Sequence, residues 1–139
     1  MAHAEVSAEL PVGAEEGWAA VVTWERQSEW MLLTKVHGGS GIGERVWART
    51  AVGPLGFTDD MEITVWDPPR LCRVKHLGKV MRGEGAFAIE DLGPGRCRFV
   101  WTEDIALGPL EVTWPVVRPG FEMFLRMSLR RLVRKLETA

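Results

Sequence analysis

Tyrosine is absent from the 139 residues, cysteine occurs twice and histidine three times. Cys72 and Cys97 offer no CxxC spacing, which excludes a thiolate metal centre or a disulfide framework as the organising device. They read as small buried hydrophobes on strands with a third strand between them, beyond disulfide reach. No two histidines have the helical spacing of metal ligands, so no metal and no cofactor is expected. Ser28 and Ser40 lack a histidine–acid pattern, so serine hydrolase chemistry is not supported. Charge is nearly balanced, 17 basic against 19 acidic side chains for a formal −2. Such a chain has no overall field to attract nucleic acid or an anionic membrane. No apolar run approaches the ~20 residues of a membrane helix. The start, MAHAEVSAEL, has neither the basic opening nor the apolar centre of a secretory signal. A cytoplasmic address is expected.

What is plentiful is tryptophan, with seven beside five phenylalanines. Indole supplies large apolar area and one N–H donor, so it suits solid cores and the walls of apolar pockets alike. Seven in so short a chain predict that two or three line something other than solid core.

Along the chain, residues 3–11 alternate weakly and stop at Pro11, as a first strand does. From Gly13 the spacing turns helical, with Trp18, Val21 and Val22 apolar and Glu15 and Glu16 in the first turn, where acids favour the helix dipole. Thr23 can cap a second short helix holding Arg26 to Trp30. His37 to Gly43 is glycine-rich, but without a lysine–hydroxyl pair it reads as a turn rather than a phosphate cradle. Strands are then expected at 44–52, 57–67, 71–77, 83–91 and 97–107, with an optional one at 111–114. Connections this short force antiparallel neighbours. After Pro115, Val117, Phe121, Phe124, Leu125, Leu129, Leu132, Val133 and Leu136 recur at helical spacing. Arg118, Arg126, Arg130, Arg131, Arg134 and Lys135 fall mostly elsewhere, as a solvated face.

The predicted fold class is therefore α+β, a curved antiparallel sheet of six to seven strands wrapped on one long C-terminal helix. Residues 1–139 are read as a single domain. One helix does not fill such a concavity, and an apolar cavity between sheet and helix is the expected consequence.

This order of elements resembles the helix-grip fold of the START, birch-pollen-allergen and polyketide cyclase/dehydrase superfamily (SRPBCC). The likeness is carried by Glu15-Glu16-Gly17-Trp18 through Glu29-Trp30-Met31, by the loop Gly38–Gly43, and by Val65-Trp66-Asp67-Pro68-Pro69-Arg70-Leu71. Arg82-Gly83 with Phe87, and Gly95-Arg96-Cys97-Arg98-Phe99-Val100-Trp101, complete it. The resemblance implies the fold and a hydrophobic ligand. It names no substrate, because that superfamily holds enzymes, lipid carriers and receptors.

Period-two alternation assigns faces. Phe57, Met61, Ile63 and Val65 are expected inward, as are Cys72, Val74 and His76, and Cys97, Phe99, Trp101, Glu103 and Ile105. On 44–52 the faces Val46/Ala48/Thr50 and Trp47/Arg49/Ala51 are not told apart. Met123 and Met127 are expected at the cavity edge, since thioethers adapt to irregular ligands. The candidate ligand wall is thus Trp47, Met61, Ile63, Val65, Val74, Phe87, Phe99, Trp101, Met123 and Met127. His76 and Glu103 stand on otherwise apolar faces, where each must find a partner, reach water or titrate. With Arg49 they are the candidate acid/base groups.

Three readings follow. The first is a binder of a lipid, quinone, terpenoid or aromatic polyketide. The second is a cyclase/dehydrase-type enzyme using those pocket groups. The third is an interaction module, which needs an exposed apolar patch. They rank in that order, and a homodimer is left open.

Overall fold

In the computed structural model, which describes residues 2–79 and 81–138, all six alternating segments become strands. The elements are β1 (Ala2–Leu10), α1 (Ala14–Val22), a 3-10 turn (Trp24–Glu29), β2 (Thr34–Gly38), β3 (Arg45–Val52), β4 (Leu55–Asp67) and β5 (Leu71–Leu77). They are followed by β6 (Arg82–Asp91), β7 (Cys97–Ile105), a second 3-10 turn (Gly108–Thr113) and α2 (Trp114–Glu137). The strands form one antiparallel sheet in the order β1-β7-β6-β5-β4-β3-β2. The chain thus starts at one edge, crosses through α1 to the other edge, and meanders back.

The seventh strand is not where the sequence reading puts it. Residues 111–114 are helical, because Pro109 and Pro115 are preset for a helix start and give no ladder N–H. The seventh strand is β2, short and ending in the glycine-rich stretch, which turns the chain into β3. Its Thr34 hydroxyl meets that of Thr50, directly opposite, at 3.0 Å.

Aromatic rings fill much of the core. Trp18 meets Trp66 edge-on at 5.1 Å, Phe87 meets Phe99 at 5.0 Å, and Trp30 sets its ring nearly perpendicular to Phe99 and Trp101. Such edge-to-face pairs contribute roughly 0.5–1.5 kcal/mol beyond the area they bury. A bulge in β4 between Ile63 and Val65 decides which indole joins them. The extra residue flips the alternation, so Trp66 opposes inward Cys72 while Val65 opposes outward Arg73. The expected inward placement of Val65 is therefore wrong.

α1 lies close on the sheet because residue 17 is glycine. A Cβ there would stand 2.6 Å from Cys97 Sγ. Cys97 and Cys72 are both free and buried, on β7 and β5 with β6 between them. Burial pushes the Cys72 thiol up to about 12 and, with Asp91 nearby, raises that of Cys97. Neither is expected to react with an aromatic disulfide reagent at pH 8 in the native protein, while two thiols titrate after unreduced denaturation. Rapid labelling of the native protein would contradict this burial.

α2 grips the sheet mainly with its C-terminal half, helped by half-buried Phe121 and Phe124. Leu125, Leu129 and Leu132 are buried, and β1 is their main sheet partner. Buried Ser128 accepts the Leu32 N–H at 3.1 Å, and Lys135 pairs with Glu29, fastening α2 to the short helical segment. Hydrogen bonds from Arg26 and Lys135 hold the Glu29 carboxyl at about 2. Toward its N-terminus α2 carries Pro119 and Gly120, and Val116 there is 83% exposed. Val117, expected in the buried stripe, is exposed as well. Among the described residues no helix is long and apolar enough to cross a membrane.

Candidate functional site

A cavity of about 80 Å³ lies against the concave face of β3–β7. Sheet residues Val46, Ala48, Met61, Val74, Phe87 and Trp101 wall it, and Trp24, Gln27 and Met31 of the short helical segment close it. No α2 residue lines it. This corrects the expectation of a cavity between sheet and C-terminal helix: the 3-10 turn and Met31 lie over these strands, while α2 packs chiefly on edge strand β1.

From the sheet, three polar side chains enter this apolar space. His76 Nδ1 is 2.9 Å from Asp59 Oδ1, and His76 Nε2 is 2.7 Å from Glu103 Oε2. The Trp101 indole N–H donates to Glu103 Oε1 at 3.1 Å. An ionised carboxylate can only accept, so a ring held between two of them donates from both nitrogens and is cationic. Burial opposes that charge, but the hydrogen bonds to Asp59 and Glu103, with their charges, outweigh it. The imidazole pKa is pushed up to about 10. With both nitrogens committed, His76 is a poor proton acceptor near neutral pH and acts as a positive strut between acids.

The sheet makes this contact possible through a missing side chain. His76 is on β5 and Glu103 on β7, with β6 between them. Two strand spacings amount to ~9–10 Å, so Glu103 must lean across β6. It does so over Gly85, its direct partner, where a Cβ would lie 2.7 Å from Oε2. Glutamine at 103 fits the space but not the bonding, because its NH₂ would face either the Trp101 or the His76 N–H.

Of the residues proposed from sequence, Met61, Val74, Phe87, Trp101, His76 and Glu103 border the cavity. Ile63 and Phe99 are fully buried in the core, off the cavity wall. Val65 is turned outward by the bulge. Trp47 is 47% exposed because Val46 and Ala48 form the inward face of β3. Arg49 shares the outward parity of Trp47 and reaches Thr58 on the exposed side. Met123 and Met127 are 49% and 45% exposed on the solvent side of α2. Asp59 was missed, although it has the same parity as Phe57, Met61 and Ile63, and a charged residue on that face was a readable signal. Trp24, Gln27 and Met31 lie in a segment without alternation, and nothing local marks them as cavity residues. The three polar groups pair with one another rather than around a shared point. Among the described residues no trio of His, Cys, Asp or Glu is arranged to hold a metal ion.

A curled antiparallel sheet gripping a C-terminal helix, with short helices after strand one, defines a helix-grip protein. The family described as polyketide cyclase / dehydrase and lipid transport matches residues 1–137, and the chain belongs to it. No curated protein gives a significant sequence match. Among solved structures, an aromatase/cyclase called Zhui, from a Streptomyces species, superposes with a TM-score of 0.78 at 18% identity. That match covers 97% of this chain and 93% of the other. A START superfamily protein from Mycobacterium smegmatis gives 0.74 at 13% identity, over 96% and 98% of the two chains. The di-domain ARO/CYC protein BexL of the BE-7585A biosynthetic pathway gives 0.78 at 14% identity, over 99% of this chain. This chain spans about half of BexL, 47% of its length. At such identities the likeness is one of fold.

Proposed function

We propose that the protein binds a hydrophobic small molecule, of lipid, quinone or aromatic polyketide type, against the concave sheet face. The observation that carries this reading is an apolar cavity bordered by one hydrogen-bonded polar cluster, Asp59–His76–Glu103. Apolar walls with a few placed polar groups are the usual make-up of a small-molecule site. At about 80 Å³ the cavity exceeds the roughly 10–15 Å³ that one water needs, but is smaller than the ~150 Å³ that houses benzene in an apolar core. A ligand of one ring or more therefore widens it. The cover of Trp24, Gln27 and Met31 lies outside the sheet ladder and is the part expected to shift when such a ligand enters. Two free, buried thiols suit a reducing compartment, and we place the protein in the cytoplasm.

A cyclase/dehydrase activity is the second reading, favoured by Asp59. One of its oxygens is held by His76 and the residue borders the cavity, which leaves the other oxygen placed to exchange a proton with a ligand.

Native mass spectrometry of freshly purified protein tests the binding role. The expected result is a small-molecule adduct at one per chain, lost in Ala48→Leu, which fills the space from β3. A wild type with no adduct, and no uptake of any apolar compound offered, would overturn the proposal.

A further inference from the structure

The side chains around the cavity are not neutral in what they offer a ligand. The N–H of Trp24 is given to Gly39 O at 2.7 Å, and that of Trp101 to Glu103. The amide nitrogen of Gln27 is turned to Val21 O at 2.6 Å, and both His76 nitrogens face carboxylates. Apart from the second N–H of the Gln27 amide, the nitrogen donors on the wall are thus already engaged, while acceptors are left over. Among the described residues Asp59 Oδ2 has no donor, and each Glu103 oxygen carries one donor where two can be accepted. The charge count points the same way. Two carboxylates surround one histidine, and no arginine or lysine lines the cavity.

We infer that the cavity selects ligands whose polar end donates hydrogen bonds, such as amines and phenols, and rejects those ending in a carboxylate or phosphate. This rests on the binding role proposed above and narrows it to a chemical class. An ammonium group meets the surplus negative charge and the open Asp59 oxygen together. A phenol offers one proton to the same oxygen. An acid brings a third negative group to the cluster with no cation to receive it, and leaves its oxygens facing oxygens. Fatty acids and phospholipid headgroups are therefore poor occupants, and among aromatic compounds the phenolic or aminated ones are favoured.

Four one-ring probes of similar size separate the outcomes: benzylamine, phenol, toluene and benzoate. Each is titrated into ¹⁵N-labelled protein at pH 7, and binding is read from the indole N–H resonances of Trp24 and Trp101. Benzylamine and phenol are expected to bind at least about tenfold more tightly than benzoate, with toluene between. In Asp59→Asn the preference for benzylamine over benzoate should shrink by about tenfold while toluene is unchanged. If that variant does not fold, the wild-type series decides by itself. Benzoate binding as tightly as benzylamine would overturn this inference while leaving the binding role intact. Failure of all four, toluene included, would overturn both.

Discussion

Replacing His76 by leucine is expected to destabilise the protein by about 3–5 kcal/mol, the usual effect of removing one partner from a buried charge cluster. Leucine resembles histidine in bulk, so little of the loss comes from packing. What remains is Asp59 and Glu103, both buried, facing a hydrocarbon where each had a charged donor. The unfolding temperature should fall by roughly 10–20 °C for a chain of this size. The wild type should also show a matching pH dependence. His76 is held up to about 10 when folded, against 6.5 for the free group. Its contribution is then complete below pH ~6.5 and is lost as the pH climbs through 10, because the folded state binds the proton more tightly. Thermal unfolding followed by circular dichroism at pH 7 and pH 10 checks both claims. The wild type should lose a few kcal/mol between them, and His76→Leu should lack that component. An unchanged midpoint in the variant would mean that the two carboxyl groups find other partners.

Ending the chain after residue 124 should abolish cooperative folding. Leu125, Leu129 and Leu132 are each almost wholly buried. At roughly 1.5–3 kcal/mol per side chain they contribute about 5–9 kcal/mol together. A typical domain has only ~5–15 kcal/mol in total. The truncation also removes Ser128, whose hydroxyl takes the Leu32 N–H, and Lys135, which holds Glu29. The short helical segment that covers the cavity would thus lose its fastening. By contrast, the double change Val116→Ser, Val117→Ser on the exposed first turns should stay within about 0.5 kcal/mol of wild type. Urea denaturation of the three proteins gives the comparison. A truncated chain with a sharp, native-like transition would show that the sheet and α1 suffice.

Amino-acid order by itself determined the architecture, because the information there is local. Alternation marked six of seven strands, short turns made them antiparallel, and a three-to-four spacing marked the long helix. It also placed His76 and Glu103 inward, since β5 and β7 run without a bulge and parity carries along each strand. Tertiary structure alone decided what those groups meet. One inserted residue in β4 exchanged Val65 for Trp66, a shift that alternation does not foresee. The exposure of Trp47, Met123 and Met127 depends on which element covers which face, and periodicity shows a stripe without naming its partner. The cluster itself joins residues 59, 76 and 103 through strand register and a glycine at 85. That contact lies across strands, at right angles to the direction in which a sequence is read.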